Sequence, residues 1–597
     1  MKQVRHFYEH TINTHSRRVR KLQKEIHRLG SIRLILVAGA IATLWLLKEQ
    51  PWVVPAVVLL LYAGVFALLM IRHTFLAQKK AYGEILVELS SNELKGLDCD
   101  FSAFDGAPER IDPEHPFSLD LDVFGEHSLF QSLNRTVTQT GGEQLAEWLL
   151  NPLTDNDAIR QRQESLRELA SLTELRQDFY VKGRLGGQAQ AEDKQRLSQL
   201  ASAPWGFASG FFRRAVHVVP LVWTAVFAGL LLGYIPLPLF GVLFTLSAGI
   251  AYLPLRRINA LHGKVNKMEK ILVAHAELMQ CIESQSFTSK GLSDLRQQLV
   301  NNKGCASRAI RKLSALIGIL DQGATLTAIL LNIFTFRDLR ACISIEQWRS
   351  NHGAETPGWL DALARFDALS SLAGFAFNHP DYAWPKLSGV YFTLSGKALG
   401  HPLMPRNQCV RNDLHLGESP RFLIITGANM AGKSTFLRTT GVNVLLTCIG
   451  APVCAEELTL SPPRLLTSLR TSDSLAGGES YFLAELKRLK RIIDCLKGGE
   501  KLFILLDEIL KGTNSTDKQK GSLALMKQLI AYQTSGLIAT HDSALGLLEK
   551  EFPRQVKNYR FEAEILDDAL VFSRQMKEGI AQNMNATFLM RKMGITI

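Results

Sequence analysis

The stretch Phe422-Leu-Ile-Ile-Thr-Gly427-Ala-Asn429-Met430-Ala-Gly432-Lys433-Ser434-Thr435 constrains this chain more than any other. An apolar run of buried-strand character enters a glycine-bearing loop, and Lys-Ser followed by a helical pattern leaves it. The spacing G-x-x-x-x-G-K-S, set between a strand and a helix, is that of a phosphate-cradling loop. Its glycines let backbone N–H groups turn inward and come close to phosphate oxygens. Gly427, Asn429, Met430, Gly432, Lys433, Ser434 and Thr435 are therefore expected to hold the phosphates of a nucleotide. Lys433 reaches the terminal phosphates, the Ser434 hydroxyl sits on Mg²⁺, and the following helix adds the positive end of its dipole.

Two further runs repeat the plan. Lys501-Leu-Phe-Ile-Leu-Leu-Asp507-Glu508 reads as a fully buried parallel strand ending in two acids. Asp507 is placed to join the Mg²⁺ shell, and Glu508 to orient or deprotonate an attacking water. Gly536-Leu-Ile-Ala-Thr-His541-Asp542 puts His541 at a strand tip, where it can sense or hydrogen-bond a terminal phosphate. Together the three runs predict an α/β P-loop domain that binds and hydrolyses ATP with Mg²⁺.

The rest of the chain has another character. Its 597 residues are 46% hydrophobic and only 21% charged, a balance that points to membrane content. The net charge of +12 favours anionic partners, nucleic acid or anionic lipid. The eight cysteines form no C-x-x-C pair, which fits reduced thiols and no disulfide frame or zinc site. Residues 1–33 look helical and basic, with Arg17, Arg18, Arg20, Lys21, Lys24, Arg28 and Arg33. They are too long and too polar for a signal peptide. Two apolar runs follow, Leu34–Leu47 and Trp52–Ile71, the second reaching the ~20 residues that span a bilayer. Val216–Tyr234 and Pro236–Leu253 form a second pair. Arg72, Lys79, Lys80, Arg213, Arg214, Arg256, Arg257 and Lys264 flank the open ends of both pairs. That asymmetry predicts two transmembrane hairpins, four spans in all, in a cell inner membrane with the termini and the ATP site on the cytoplasmic side. Leu316–Phe336 is apolar but interrupted by Asp321, Gln322 and Asn332, and reads as a core helix and not a fifth span.

At this point the chain resembles the MutS family of DNA mismatch-repair ATPases, over about residues 128–200 and 355–597. The Asn429-Met430 pair in the phosphate loop is close to the family form. Leu399-Gly-His401-Pro-Leu403 with Val410-Arg-Asn412-Asp413 matches the region ahead of that loop. Asp507-Glu508 continuing to Gly512-Thr-Asn514-Ser-Thr-Asp517 matches the segment after the acidic pair. Thr136, Thr138 and Gly141, with Trp148 and Asn151-Pro-Leu153, look like the start of the family's lever domain. Asp473-Ser-Leu-Ala-Gly-Gly478-Glu-Ser480 resembles its counterpart of the ABC signature, so the resemblance implies that Gly478 and Ser480 act in trans on the nucleotide of a second subunit, in a homodimer. It also implies a DNA partner.

Some features depart from the family. Its mismatch-reading and connector domains are missing. Phe7-Tyr8-Glu9 is similar to the family's Phe-x-Glu wedge but has no α/β domain around it. Cys409 stands where an aromatic packs on adenine, and Arg574 could stack on the base instead. The expected organisation is a basic juxtamembrane helix (1–33), hairpin 1 (34–72), a linker (73–127), an α-helical lever in two parts (128–212 and 255–388) around hairpin 2 (213–254), and an ABC/MutS-type ATPase domain (389–597). The function expected is a membrane-anchored ATPase coupled to DNA, in mismatch repair or recombination. The alternatives are a transport ATPase of the ABC class and a membrane switch that does not use DNA.

Overall fold

The computed structural model describes residues 1–187, 197, 207, 210–265, 268–302, 304–322, 325–390, 392–428, 430–470, 481–510, 514–566 and 569–581. Two long helices open the chain, α1 (Lys2–Leu46) and α2 (Val53–Gly96). The basic segment and the first apolar run are one unbroken rod of 45 residues, about 68 Å long. Composition changes along the rod because its surroundings change, while helix propensity carries the backbone through. Toward the chain's body the two helices close up at Gly83, where a Cβ would come within 2.8 Å of Val19 Cγ2. Toward the other end Leu34, Leu46, Leu60 and Ile71 are 76%, 71%, 72% and 68% exposed. So large a continuous apolar surface marks a partner or a membrane, not water.

The helical body follows. It comprises α3 (Leu129–Leu133), α4 (Gln139–Leu150), α5 (Asn156–Ser171) and α6 (Thr173–Leu185). The second apolar pair is α7 (Gly210–Leu231) and α8 (Leu237–Tyr252), continued by α9 (Leu255–Val265). Then come α10 (Glu269–Glu283), α11 (Lys290–Leu299), α12 (Ala306–Asp321), α13 (Leu326–Thr335), α14 (Arg337–His352) and α15 (Thr356–Asn378). Between α11 and α12 sits a minimal antiparallel pair, β1 (Val300–Asn301) and β2 (Gly304–Cys305). Among the described residues three helices are long and apolar enough to cross a membrane, or four if the bent pair α8–α9 counts as one span.

The body is organised on α15, which packs on α4, α5 and α11. Asp367, fully buried on α15, accepts the N–H of Thr138 at 2.8 Å and its Oγ1 at 2.7 Å, and the N–H of Val137 at 3.1 Å. Thr138 in turn caps α4 by accepting from the Gly141 N–H at 3.0 Å. A Cβ on Gly141 would lie 2.2 Å from Asp367, so only glycine fits there. Burial pushes the Asp367 carboxyl up to about 7, against the pull of these hydrogen bonds. The Leu316–Phe336 run is not a single core helix. α12 stops at Asp321, and Thr325 starts α13 by accepting from Ala328 N–H at 3.3 Å. Ile329, Leu330 and Leu331 on α13 are exposed.

The remaining third is α/β. Its strands are β3 (Lys386–Leu387), β4 (Leu394–Leu399), β5 (Asn412–Leu416), β6 (Phe422–Gly427), β7 (Glu457–Leu460), β8 (Arg464–Ser468), β9 (Leu502–Asp507), β10 (Ser535–Thr540), β11 (Val556–Leu566) and β12 (Ala569–Glu578). Its helices are α16 (Lys433–Cys448), α17 (Tyr481–Lys497), α18 (Ser515–Ala531) and the short α19 (Leu548–Glu551). Six strands form one sheet in the order β12-β11-β6-β10-β9-β8, parallel from β11 to β8 with β12 antiparallel at the edge. Four form a second, β3-β7-β4-β5. β6, β9 and β10 are buried at every position, as their unbroken apolar runs predict.

Candidate functional site

Three neighbouring parallel strands end side by side. β10 lies between β6 and β9, with Thr540 beside Thr426 and Ala539 beside Asp507. Ligands of open α/β sheets sit beyond such carboxyl ends. β6 runs into the glycine loop at Gly427, whose φ is 153° and whose missing Cβ would lie 2.5 Å from the Phe561 carbonyl oxygen. Gly432, at φ 113°, starts α16, and Met430 between them is 82% exposed. The Lys433 side chain is buried and curls back under the loop. Its Nζ donates to the carbonyls of Gly427 at 2.6 Å and Ala428 at 2.9 Å. Thr435 is exposed on the first turn of α16.

The acidic pair meets this loop from β9. The Ser434 hydroxyl donates to Asp507 Oδ2. The next residue, Glu508, has a left-handed backbone at φ 51°, a conformation that costs on the order of 1–3 kcal/mol in a residue other than glycine. Its N–H is held by the Ala539 carbonyl at 2.9 Å, and its Oε1 lies 3.2 Å from Nδ1 of His541. The structure thus brings together Gly427, Gly432, Lys433, Ser434, Asp507, Glu508 and His541. Asn429, Gly478 and Ser480 lie outside the described residues.

Beside Gly432 a narrow cleft is walled by His401, Met404, Val410, Thr435 and Arg574. The Asn412 side chain bridges to this wall. It donates to the Arg574 carbonyl at 3.1 Å and accepts from the Met576 N–H at 2.7 Å, tying β5 to β12. Arg574 Cβ and Cγ come within 3.7 Å of where a Gly432 Cβ would be. Cys409 does not wall this cleft. Its Sγ contacts the His401 carbonyl at 3.8 Å, and hydrogen bonding with the Cys454 thiol holds it below the ordinary thiol range.

Three acids on the site's periphery escaped the sequence reading. Asp120, almost fully buried, accepts from Thr467 Oγ1 at 2.6 Å and from the N–H groups of Leu469 and Arg470 at 3.0 and 2.9 Å. Asp122 receives Arg438 of α16 at 3.1 Å and Arg470 at 2.9 Å. Glu485, on the buried face of α17, accepts the Leu510 N–H and so pins the loop that follows Glu508. For Asp120 and Asp122 the available signal was two acids two residues apart within the apolar run Phe117–Phe124, which folds as successive turns with Asp122 at φ 51°. The Phe7-Tyr8-Glu9 tripeptide is a packing element. Tyr8 Oη donates to Asn378 at 2.7 Å, and the Phe7 ring meets Phe377 at 5.2 Å.

Residues 117–373 match MutS domain III and residues 423–591 match MutS domain V. The chain belongs to the MutS family. A DNA mismatch repair protein MutS from Thermotoga maritima is 36% identical over 222 residues, covering 37% of this chain and 27% of that protein. MutS-named proteins from Thermosynechococcus vestitus and Chlorobaculum tepidum are 26% and 27% identical over 79% and 76% of this chain. The chain spans 57% and 55% of their lengths. The MutS domain III match takes in the Thr138–Gly141–Asp367 junction, and the MutS domain V match takes in the strand tips.

Proposed function

We propose that this MutS-family chain is a membrane-anchored ATPase that hydrolyses ATP as a homodimer and couples hydrolysis to DNA binding, in mismatch repair or recombination. The observation that carries the reading is the meeting of Lys433, the Ser434–Asp507 pair and the Glu508–His541 pair at three adjacent strand ends. A triphosphate suits this place. Loop N–H groups and the amino end of α16 attract anions. Lys433 would exchange two neutral carbonyl acceptors for charged phosphate oxygens, a stronger pairing. The Ser434 hydroxyl and the Asp507 carboxylate are hard oxygen donors already in contact, a set that fits Mg²⁺. When bound, the metal neutralises charge developing on the phosphates. Glu508 takes the proton of the attacking water, and a protonated His541 ring would hold the Glu508 carboxylate through Nδ1–H and offer Nε2–H to the terminal phosphate. Gly478 and Ser480 would complete the site of the partner subunit, which makes turnover depend on dimerisation.

Anchoring is supported by the exposed apolar lengths of α1, α2 and α7 and by the basic residues at their open ends. Four spans with the ATPase on the cytoplasmic face of the inner membrane satisfy both. DNA contact would rest on Lys and Arg against backbone phosphate, and so would weaken steeply with salt.

The test is Mg²⁺-dependent ATP hydrolysis by the purified full chain in lipid discs, with Lys433→Ala beside it. Loss of nucleotide binding in Lys433→Ala is expected, and full activity in that variant would remove the site. Binding to duplex, mismatched and branched DNA across a salt series, with and without ATP, tests the partner. Salt-independent or absent binding would return the membrane switch that does not use DNA.

A further inference from the structure

The apolar helix α13 is neither core nor span. Its ten residues are about 15 Å long, half of a ~30 Å hydrocarbon layer. No charged residue stands between Asp321 and Arg337. One face, with Ala328, Asn332 and Ile333, is buried, and the other presents Ile329, Leu330 and Leu331 at 37%, 42% and 49% exposure. A helix lying on a water-facing surface carries polar residues along its outer face, whereas here only Thr327 in the first turn is polar there among the described residues, and Ile329, Leu330 and Leu331 beyond it are apolar.

Its packing partners are the second apolar hairpin. Phe334 stacks edge-on to Trp223 at 4.7 Å and also meets Phe227 and Phe244. Trp223 stands midway between Val216 and Leu231 on α7. Its indole N–H donates to Ser247 of α8 at 3.1 Å, and the Ser247 hydroxyl donates to the Ile333 carbonyl at 2.6 Å. The carboxyl end of α13 therefore meets the hairpin halfway along its length, not at its base. The base is marked by Arg340, which donates to the Val216 carbonyl at 2.9 Å.

The ends of α13 are closed by protein groups. Thr325 caps its start. At its end Thr335 Oγ1 donates to the Leu331 carbonyl at 2.6 Å and Phe336 N–H to the Asn332 carbonyl at 2.9 Å. The Asn332 side chain accepts the Asp338 N–H at 3.1 Å, and Arg337 donates to the Ile319 carbonyl. Backbone turns at membrane depth are tolerated only when satisfied in this internal way.

We propose that α13 is a re-entrant helix seated in one leaflet, with Ile329, Leu330 and Leu331 against lipid acyl chains, so that the helical body itself and not only its hairpins is embedded. The chain turns back at Phe336, where φ is 51°. The occupant is lipid because α13 packs through Ile333 and Phe334 on the middle of the second apolar hairpin, whose own outer residues Val242 and Leu246 are exposed and apolar. The proposal rests on the membrane reading of hairpin 2.

The experiment places a photoreactive diazirine residue at position 330, 246 or 313 of the full chain in vesicles of phosphatidylethanolamine and phosphatidylglycerol, with adducts read by mass spectrometry. Lipid adducts at 330 in yield matching 246, and none at the buried position 313, are expected. Water adducts, or crosslinks to a second chain, at 330 while 246 still captures lipid would overturn the proposal and leave the hairpin reading standing. Lipid at neither 330 nor 246 would overturn both.

Discussion

The strands β6, β9 and β10 and the outer halves of α1 and α2 are built mainly of large apolar residues, Leu and Ile above all. In the sheet every one of those side chains is covered. In α1 and α2 the most apolar windows are not buried at all within the chain. What differs is the cover, not the composition. Where protein supplies the cover, the charged ends of neighbouring runs are forced together, and Asp507, Glu508, His541 and Lys433 meet. Where the cover has to come from outside, the basic ends stay apart, solvated, and mark a boundary. The first arrangement gathers polar groups at one place, and the second leaves an apolar surface open.

If that division is right, the two ends fail separately. Glu508→Gln keeps the shape of the strand tips and removes the base. Turnover should fall by about 10²–10⁴-fold with ATP still bound, and the chain should stay in the membrane fraction. Unchanged turnover would strip Glu508 of its role. The mirror experiment is Leu60→Arg with Leu61→Arg near the centre of the apolar run of α2, at about 2.5–3.5 kcal/mol per charge for insertion. The double variant should leave carbonate-washed membranes while its soluble part still binds ATP. Full retention would mean that hairpin 1 is covered by protein after all, and the contrast with the sheet would collapse.

Between the two ends lies the junction on α15. There Gly141→Ala would drive a methyl group into the Asp367 carboxylate. The helix α4 must shift, at a cost of about 1–3 kcal/mol, and the hydrogen bonds that cap it loosen. Earlier thermal unfolding with unchanged membrane retention is the expected outcome. An unshifted melt would show that the Thr138–Asp367 contact is not a strut between the regions.

This junction also shows what the sequence discloses and what it withholds. The phosphate loop is legible because its glycines, lysine and serine are contiguous, and local geometry alone demands them. Asp507 and His541 are legible because a buried strand that ends in a polar residue is a local pattern. Thr138 and Gly141 stand out as letters, but their reason, Asp367, is more than two hundred residues away. Tyr8 likewise seats on Asn378 across 370 residues, and Glu93 pairs with Arg135 at 2.6 Å across 42. The sequence pattern breaks at residue 33 because composition reports environment, while helix α1 itself runs on to Leu46. α13 reads as core from the sequence because apolar content does not distinguish a covered face from an exposed one.

The smallest effect expected concerns the strap that joins α2 to the strand tips. Residues 97–128 lead from α2 to the helical body, and Asp122 on that strap takes Arg438 from α16 and Arg470 from the end of β8. Arg438 is one helical turn beyond Ser434, so any shift of the strap reaches the loop through one side chain. Asp122→Asn keeps the shape and removes the charge. The pair is partly exposed, at 37% for Asp122 and 41% for Arg470, so solvent screening holds its worth to about 0.5–1 kcal/mol. ATP turnover should fall by about two- to fivefold, with membrane retention untouched. The wild-type rate should approach that of the variant as salt rises, because an exposed pair is screened on the scale of the Debye length. A gap between the two that persists at high salt would show that Asp122 acts through more than charge. No gap at low salt would mean that the strap carries nothing from α2 to the phosphate loop.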